Sequence, residues 1–358
     1  MLGWAAMADV RPFRALRYDE AKAGPLEALV APPYDVISTA ERADYLTRSP
    51  YNVVHLTLPD SEEAAGRAFA EWQGEGVLVR DEEPTYWLLS QEYVGPDGVR
   101  RIRNGMVVSL RAEPYERRVV LPHERTHRGP KEGRLRLLRA VRAQLEPIFL
   151  LYEGQALARP DRAPDVEVEG ARLWRVDETP DFSSTQFLIA DGHHRYETAL
   201  AFAEEGGSPF LMAVLVPTRQ DGLTIFPTHR VVERLGSVNG AEPVAGIGDA
   251  LAQLEELPRD RPAVALYRGG ETRVLKGDEP ELDAAFVERF GPEGVSYTPQ
   301  VEEAVAAVDS GRAQAAFLLR PPTIEQVRAV AERGETMPQK STYFFPKLMS
   351  GLLFHPLD

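Results

Sequence analysis

Five consecutive residues, Asp191-Gly192-His193-His194-Arg195, gather side chains that handle protons, phosphate and tight turns. Asp191 and the two histidines can exchange protons or hold a metal. Arg195 offers a planar fork for phosphate oxygens, and Gly192 lets backbone approach a ligand closely. The apolar run from Phe187 to Ala190 reads as a buried strand. Tyr196, Ala199, Leu200 and Phe202 then recur at helical spacing, so a helix is expected from near Arg195. A strand turning directly into a helix aims unpaired N–H groups and the positive end of the helix dipole at the turn. These residues predict an anion seat at 191–195; the competing reading is a solvated turn with incidental histidines.

Other polar clusters stand beside it in the chain: Tyr34-Asp35, the loop from His123 to Lys131, His229-Arg230, and Lys340 with Ser341 and Lys347. Together they supply cations for phosphate oxygens and carboxylates for magnesium or general-base work, the parts that phosphoryl transfer needs. Each alone also reads as a surface charge or loop cap. His123-Glu124-Arg125-Thr126-His127 matches H-E-x-x-H, a zinc pattern that requires a buried helix. Pro122 precedes it, Gly129-Pro130 follows it and its flanks are rich in arginine, so a zinc hydrolase is set aside. The basic helix expected from Lys131 to about Ala143 is either a solvated face or a phosphate contact. Neither a Walker-type glycine loop nor G-x-G-x-x-G occurs.

The chain that must position these groups has 358 residues, 43% of them apolar, enough for two domains or one large one. Its formal net charge of −14 disfavours nucleic acid and anionic membranes as partners. The absence of cysteine excludes disulfides, thiolate metal sites and a cysteine nucleophile, and accords with a cytoplasmic location. Met1 to Ala8 lacks the features of a signal peptide, and no window is long and apolar enough for a membrane helix.

In chain order, a strand is expected over Arg11–Tyr18 and a rigid proline loop presenting Tyr34 and Asp35. A helix over Thr39–Arg48 is capped by Ser38 and Glu41, a strand follows at Val53–Pro59, and Ser61–Gln73 forms an amphipathic helix. A hairpin spans Tyr86–Leu110, strands fall at Ile148–Tyr152 and Phe210–Val216, and Gln155–Ala171 is exposed. Beyond the glycine-rich stretch near 235–248, read as a domain seam, come a helix at 247–257, a hairpin at 263–276 and helices at 282–290, 301–310 and 324–333. The pattern predicts an α+β fold, a mixed sheet with hairpins and flanking helices. The expected domains are 9–235, carrying the core site, and 236–358, a smaller C-terminal α/β part returning Lys340 and Lys347 to it.

Several motifs resemble the domain-of-unknown-function family 1015 (DUF1015). They are Arg11-Pro12-Phe13, Ala31-Pro32-Pro33-Tyr34-Asp35-Val36-Ile37, Pro122-His123-Glu124-Arg125-Thr126, the turn from Ala190 to Tyr196, and the run from Met337 to Lys347. One position departs: Gly133 stands where the family usually carries an aspartate before an arginine. The Asp-Gly-His-His-Arg turn is also similar to the nucleotide-binding motif of the ParB/sulfiredoxin-like group, which includes partition CTPases, sulfiredoxins and free-serine kinases. That likeness implies a ParB/sulfiredoxin-like nucleotide-binding core and phosphate contact by Gly192, His193, His194 and Arg195. Sulfiredoxin chemistry needs a cysteine, and a DNA clamp needs a basic module that this acidic chain lacks.

The expected function is therefore a nucleotide-dependent phosphotransferase acting on a small metabolite hydroxyl, foremost a free L-serine kinase using ATP or ADP with Mg2+. The rivals are a phosphatase or nucleotide hydrolase at the same site and a non-catalytic nucleotide-sensing module. Asp35, Glu124, His123 and Lys340 are the candidate catalytic residues, with Asp35 or Glu124 as base and Lys340 neutralising charge. Asp191, Gly192, His193, His194, Arg195, His229, Arg230, Lys131 and Lys347 are the candidate nucleotide contacts, and Glu124 and Asp191 the candidate magnesium ligands.

Overall fold

The computed structural model describes residues 7–126 and 128–357; the readings of residues 1–6 and of His127 lie outside these. The chain forms two compact units. One comprises the described residues up to Gly95, Arg100–Leu223 and the segment from Pro346; the other comprises Pro96–Val99 and Thr224–Phe345.

The first unit is built on a nine-stranded mixed sheet. Its order is Val120–Leu121, Phe187–Asp191, Ile148–Gln155, Phe210–Arg219, Arg100–Arg111, Tyr86–Val94, Ala171–Val176 and Val166–Val168, with Val10–Arg11 also paired to Arg100–Arg111. Phe187–Asp191 runs parallel to Val120–Leu121, and Phe210–Arg219 runs parallel to Ile148–Gln155. The central strands are near-continuous apolar runs because both of their faces are covered: Ile148 to Leu151 and Phe187 to Ala190 are all buried. Helix His193–Glu204 lays Tyr196 and Ala199 into the cluster formed by Ile148, Leu150 and Ile189. Helix Arg128–Val141 packs against that helix and against Glu62–Gly74. Gly66 makes the second approach possible, since a Cβ there would sit 2.7 Å from the Ala140 carbonyl oxygen.

The second unit contains a six-stranded antiparallel sheet, ordered Glu242–Val244, Glu271–Lys276, Ala263–Arg268, Ala315–Leu319, His229–Arg234 and Glu293–Thr298. Ala250 and Leu254 of helix Ile247–Glu256 pack with Ala304, Ala307 and Val308 of helix Val301–Asp309 in one cluster. Phe286 and Val287 pack in another with Val264, Leu266 and Phe317. Both faces of the sheet are thereby covered, and Ala315–Leu319 is buried throughout.

The α+β expectation holds. Ser38 and Glu41 form the capping box of Thr39–Arg48, and Thr323 with Gln326 does the same for Ile324–Glu332. Local departures have identifiable causes. Val53–Pro59 is not a strand: Val54–Thr57 forms a helical turn. The Asn52 side chain accepts from the Val54 N–H at 3.0 Å and donates to the Ala28 carbonyl at 2.7 Å, fixing that bend. The segment 155–171 contributes an edge strand, Val166–Val168. The division between units falls at 223/224 rather than near 235–248. Thr224–Phe226 pairs with Tyr343–Phe345, which binds that stretch into the second unit, and Glu242–Val244 is an edge strand of its sheet.

Replacing Gly66 with Val should force the helix against the Ala140 carbonyl and lower stability by about 1–3 kcal/mol. Chemical denaturation checks this; an unchanged midpoint would mean that the two helices can separate without penalty.

Candidate functional site

Strand Phe187–Asp191 ends at the carboxylate that organises the site. Gly192 follows at φ 98° and ψ 26°, a left-handed conformation in which a side chain would be strained. The helix begins at His193, two residues earlier than the apolar spacing predicts, with its first bond from the Tyr196 N–H to the Gly192 carbonyl at 2.9 Å. The early start brings His193, His194 and Arg195 into the first turn, where the N–H groups have no partners within the helix.

Asp191 is clamped between two cations. One carboxylate oxygen pairs with Lys347 Nζ, and the other accepts from Arg195 Nη2 at 2.8 Å. Burial works to raise the pKa of Asp191, but Lys347 and Arg195 outweigh it and hold the carboxyl well below its usual range. Conversely, burial favours neutral Lys347 and the charge of Asp191 more than offsets this, so its pKa lies above the ordinary value. Arg195 also donates from Nη1 to the Pro147 carbonyl at 2.5 Å and is only 8% exposed. With both terminal nitrogens engaged inside the protein, Arg195 fixes Asp191.

Support comes from residues that the sequence reading passed over. Arg103, buried over the Phe149 ring at 4.4 Å, donates to the Pro346 carbonyl at 2.6 Å, immediately before Lys347. Glu146 is buried; it accepts from the Tyr34 N–H at 3.0 Å and from Ser350 Oγ at 2.9 Å, and its charge helps keep Arg195 protonated. The only local hint was a lone acid in Leu145-Glu146-Pro147 opening an apolar strand. Asp35 is exposed in the helical turn Tyr34–Val36, and its charge raises the pKa of both Lys347 and Arg195.

Two histidines face each other beside the clamp. The His123 N–H donates to His193 Nε2 at 3.3 Å, and the rings meet edge to face with centroids 4.7 Å apart. Burial, above all, pushes His123 down to about 4 and His193 well below its ordinary value, so both rings are neutral at pH 7. Segment 123–126 is not helical. Thr126 Oγ1 donates to Glu197 on the site helix at 2.7 Å, and Lys131 pairs with the same carboxylate at 3.2 Å. Glu124 is half-buried next to His123, and His194 is half-buried in the helix.

The first unit thus brings Asp35, His123, Asp191, Gly192, His193, Arg195 and Lys347 together, with Lys131 tied to the same helix. His229, Arg230 and Lys340 belong to the second unit. There, buried His229 accepts through Nδ1 from the Leu319 N–H at 3.1 Å, and burial followed by the charge of Arg230 pushes it down to about 4. Arg230 donates to the Thr228, Lys340 and Gln339 carbonyls at 2.5, 3.1 and 3.3 Å, and so ties down the loop that carries exposed Lys340 at φ 54°. Of the two candidate magnesium ligands, Asp191 has both carboxylate oxygens held by cations. Among the described residues, no group of three or more His, Cys, Asp or Glu side chains converges to hold a metal.

Residues 10–309 match the family described as "Protein of unknown function (DUF1015)". The chain belongs to that family. No curated protein matches it. Among solved structures, this DUF1015 member is similar to a free serine kinase variant in complex with AMP, at 18% identity and TM-score 0.40, covering 63% of this chain and 84% of that one. It is also similar to a conserved hypothetical protein from Pyrococcus furiosus, at 19% identity and TM-score 0.37, covering 63% and 87%. A third is SbnI from Staphylococcus aureus with a C-terminal truncation, at 16% identity and TM-score 0.32, covering 67% and 84%.

The pKa directions fix how stability should depend on pH. His123 and His229 titrate near 4 when folded and at their ordinary value of 6.5 when unfolded. Between those values the unfolded chain binds more protons, so stability should fall as pH drops from about 6.5 to 4. Asp191 is depressed, so its contribution is lost only further down, as pH falls through its folded value. Urea midpoints measured across this range should decline with acid, and H123Q should flatten part of the decline. Equal midpoints at pH 7 and 4.5 would show that the buried rings take up protons as readily as in the unfolded chain.

Proposed function

We propose that this DUF1015 protein is a nucleotide-dependent phosphotransferase that moves a phosphoryl group from ATP or ADP to the hydroxyl of a small metabolite, with free L-serine as the leading acceptor. The observation that carries the reading is the Asp191–Lys347 pair at the left-handed Gly192 turn, where a helix N-terminus and a fixed ammonium group face the same bend. Such a turn is suited to phosphate: the helix N–H groups and dipole favour the anion, and Lys347 stands ready to offset charge that develops as the phosphoryl group leaves. The resemblance of the motif to the ParB/sulfiredoxin-like group, with its free-serine kinases, supports the choice of acceptor.

In this mechanism the acceptor oxygen bonds to the terminal phosphorus while the bond from that phosphorus to the leaving nucleotide oxygen breaks. The electron pair goes to the leaving oxygen, and the hydroxyl proton goes to a carboxylate. Asp35, exposed and with a charge that acts on Lys347 and Arg195, is the base; Glu124, next to His123, is the alternative base. Arg195 positions Asp191, Asp191 positions Lys347, and the step uses residues of the first unit alone.

Incubation with ATP or ADP, with and without Mg2+, and L-serine should yield phosphoserine. Lys347→Met should lower kcat by about 10²–10³-fold, with circular dichroism confirming that the variant is folded. Free phosphate in place of phosphoserine would replace this reading with a nucleotide hydrolase. Saturable nucleotide binding without turnover would replace it with a sensing module.

A further inference from the structure

A cavity of about 370 Å³ opens in the first unit. Its walls include Tyr34, Arg42, Asp60, Gly133, Arg134 and Leu137. Arg134 and Leu137 also line a smaller cavity of about 40 Å³ whose wall contains Arg195 and Glu146. Through that shared wall the larger space adjoins the smaller one, which Arg195 of the clamp borders. Tyr34 connects it to the proposed base, since Asp35 is the next residue.

Gly133 is the unusual part of that wall. It lies inside helix Arg128–Val141, where glycine costs about 1 kcal/mol relative to alanine. Packing does not require it: a Cβ there would meet nothing nearer than the Arg136 guanidinium at 3.8 Å. Gly66, by contrast, is demanded by backbone at 2.7 Å. In this chain a glycine on the wall of the cavity leaves open the space that a side chain would occupy. The polar groups indicate its chemistry. Arg134 stacks on Tyr34 at 3.6 Å and donates from Nη1 to the Thr57 carbonyl at 2.8 Å, which fixes the guanidinium in place. One of five N–H donors accounts for that bond. Asp60 is held by Arg42 at 2.7 Å with its carboxylate 90% exposed, available to an ammonium group.

We propose that this cavity seats the phosphoryl acceptor, a small hydroxyl-bearing amino acid whose carboxylate pairs with Arg134 and whose ammonium group faces Asp60, and that Gly133 keeps the space open. The proposal rests on the phosphotransferase reading for its reaction, but the cavity and its preference for a carboxylate are open to separate measurement. The volume suits a small metabolite.

Gly133→Leu provides the test. Leucine is a better helix former than glycine, so the variant should not melt below the parent, while its side chain occupies the cavity. KM for L-serine should rise by about tenfold or more, with kcat and ADP affinity little changed, and Gly133→Ala should fall between. An unchanged KM in Gly133→Leu overturns the proposal. If no donor yields phosphoserine, the phosphotransferase reading fails and the cavity is judged by binding alone, through titration with L-serine, D-glycerate and ethanolamine. L-serine and, more weakly, D-glycerate should bind and be lost in Gly133→Leu. Failure of both to bind, or equal binding by ethanolamine, overturns the assignment.

Discussion

A carboxylate largely withdrawn from water at the end of a sheet strand sets the constraint from which the first unit follows. Asp191 must be ionised to accept from Lys347 and Arg195, and ionisation in a buried place is tolerable only while both cations remain. Each cation is in turn held from behind. Arg195 is fixed by the Pro147 carbonyl, and the backbone ahead of Lys347 is fixed by Arg103. Glu146 then ties the Tyr34 backbone and Ser350 into the same neighbourhood. Taking away one partner of such a pair typically costs about 3–5 kcal/mol, whereas the intact assembly adds little net stability. The arrangement is therefore understood better as a device for orientation than as a source of folding energy.

Helix Arg128–Val141 shows how one element can serve packing and access at once. On one side its Ala140 carbonyl lies so close to the neighbouring helix that only glycine fits at position 66. Elsewhere along it, Gly133 borders a cavity, and a Cβ there would come no nearer than 3.8 Å to the Arg136 guanidinium. The same residue type answers opposite demands, absence of space in one case and preservation of space in the other. The distinction is invisible in the letters of the sequence and plain in the distances.

Much of the fold was legible because its signals are local. Ser38 with Glu41 caps a helix, and Phe187 to Ala190 announces a buried strand by its continuous apolar run. The turn at 191–195 could be singled out for the same reason: its polar groups are adjacent in the chain. What remained hidden depends on distance in sequence. Asn52 bends Val54–Thr57 away from a strand by binding the Ala28 carbonyl, and nothing in Val53 to Pro59 encodes that partner. Arg195 has the side chain expected of a phosphate fork, yet Pro147, 48 positions earlier, claims part of it. Glu146 and Arg103 look like ordinary charges until the sheet brings their partners to them.

Lys347 stands 156 positions beyond the carboxylate it neutralises, and the whole second unit except 96–99 is inserted between Leu223 and Pro346. A polypeptide emerging from the ribosome therefore exposes Asp191 long before its ammonium partner exists. Until the intervening unit has been synthesised and the strand of chain after it has folded back, the bend at Gly192 lacks its neutralising cation. An unfinished chain therefore cannot assemble the complete charge clamp.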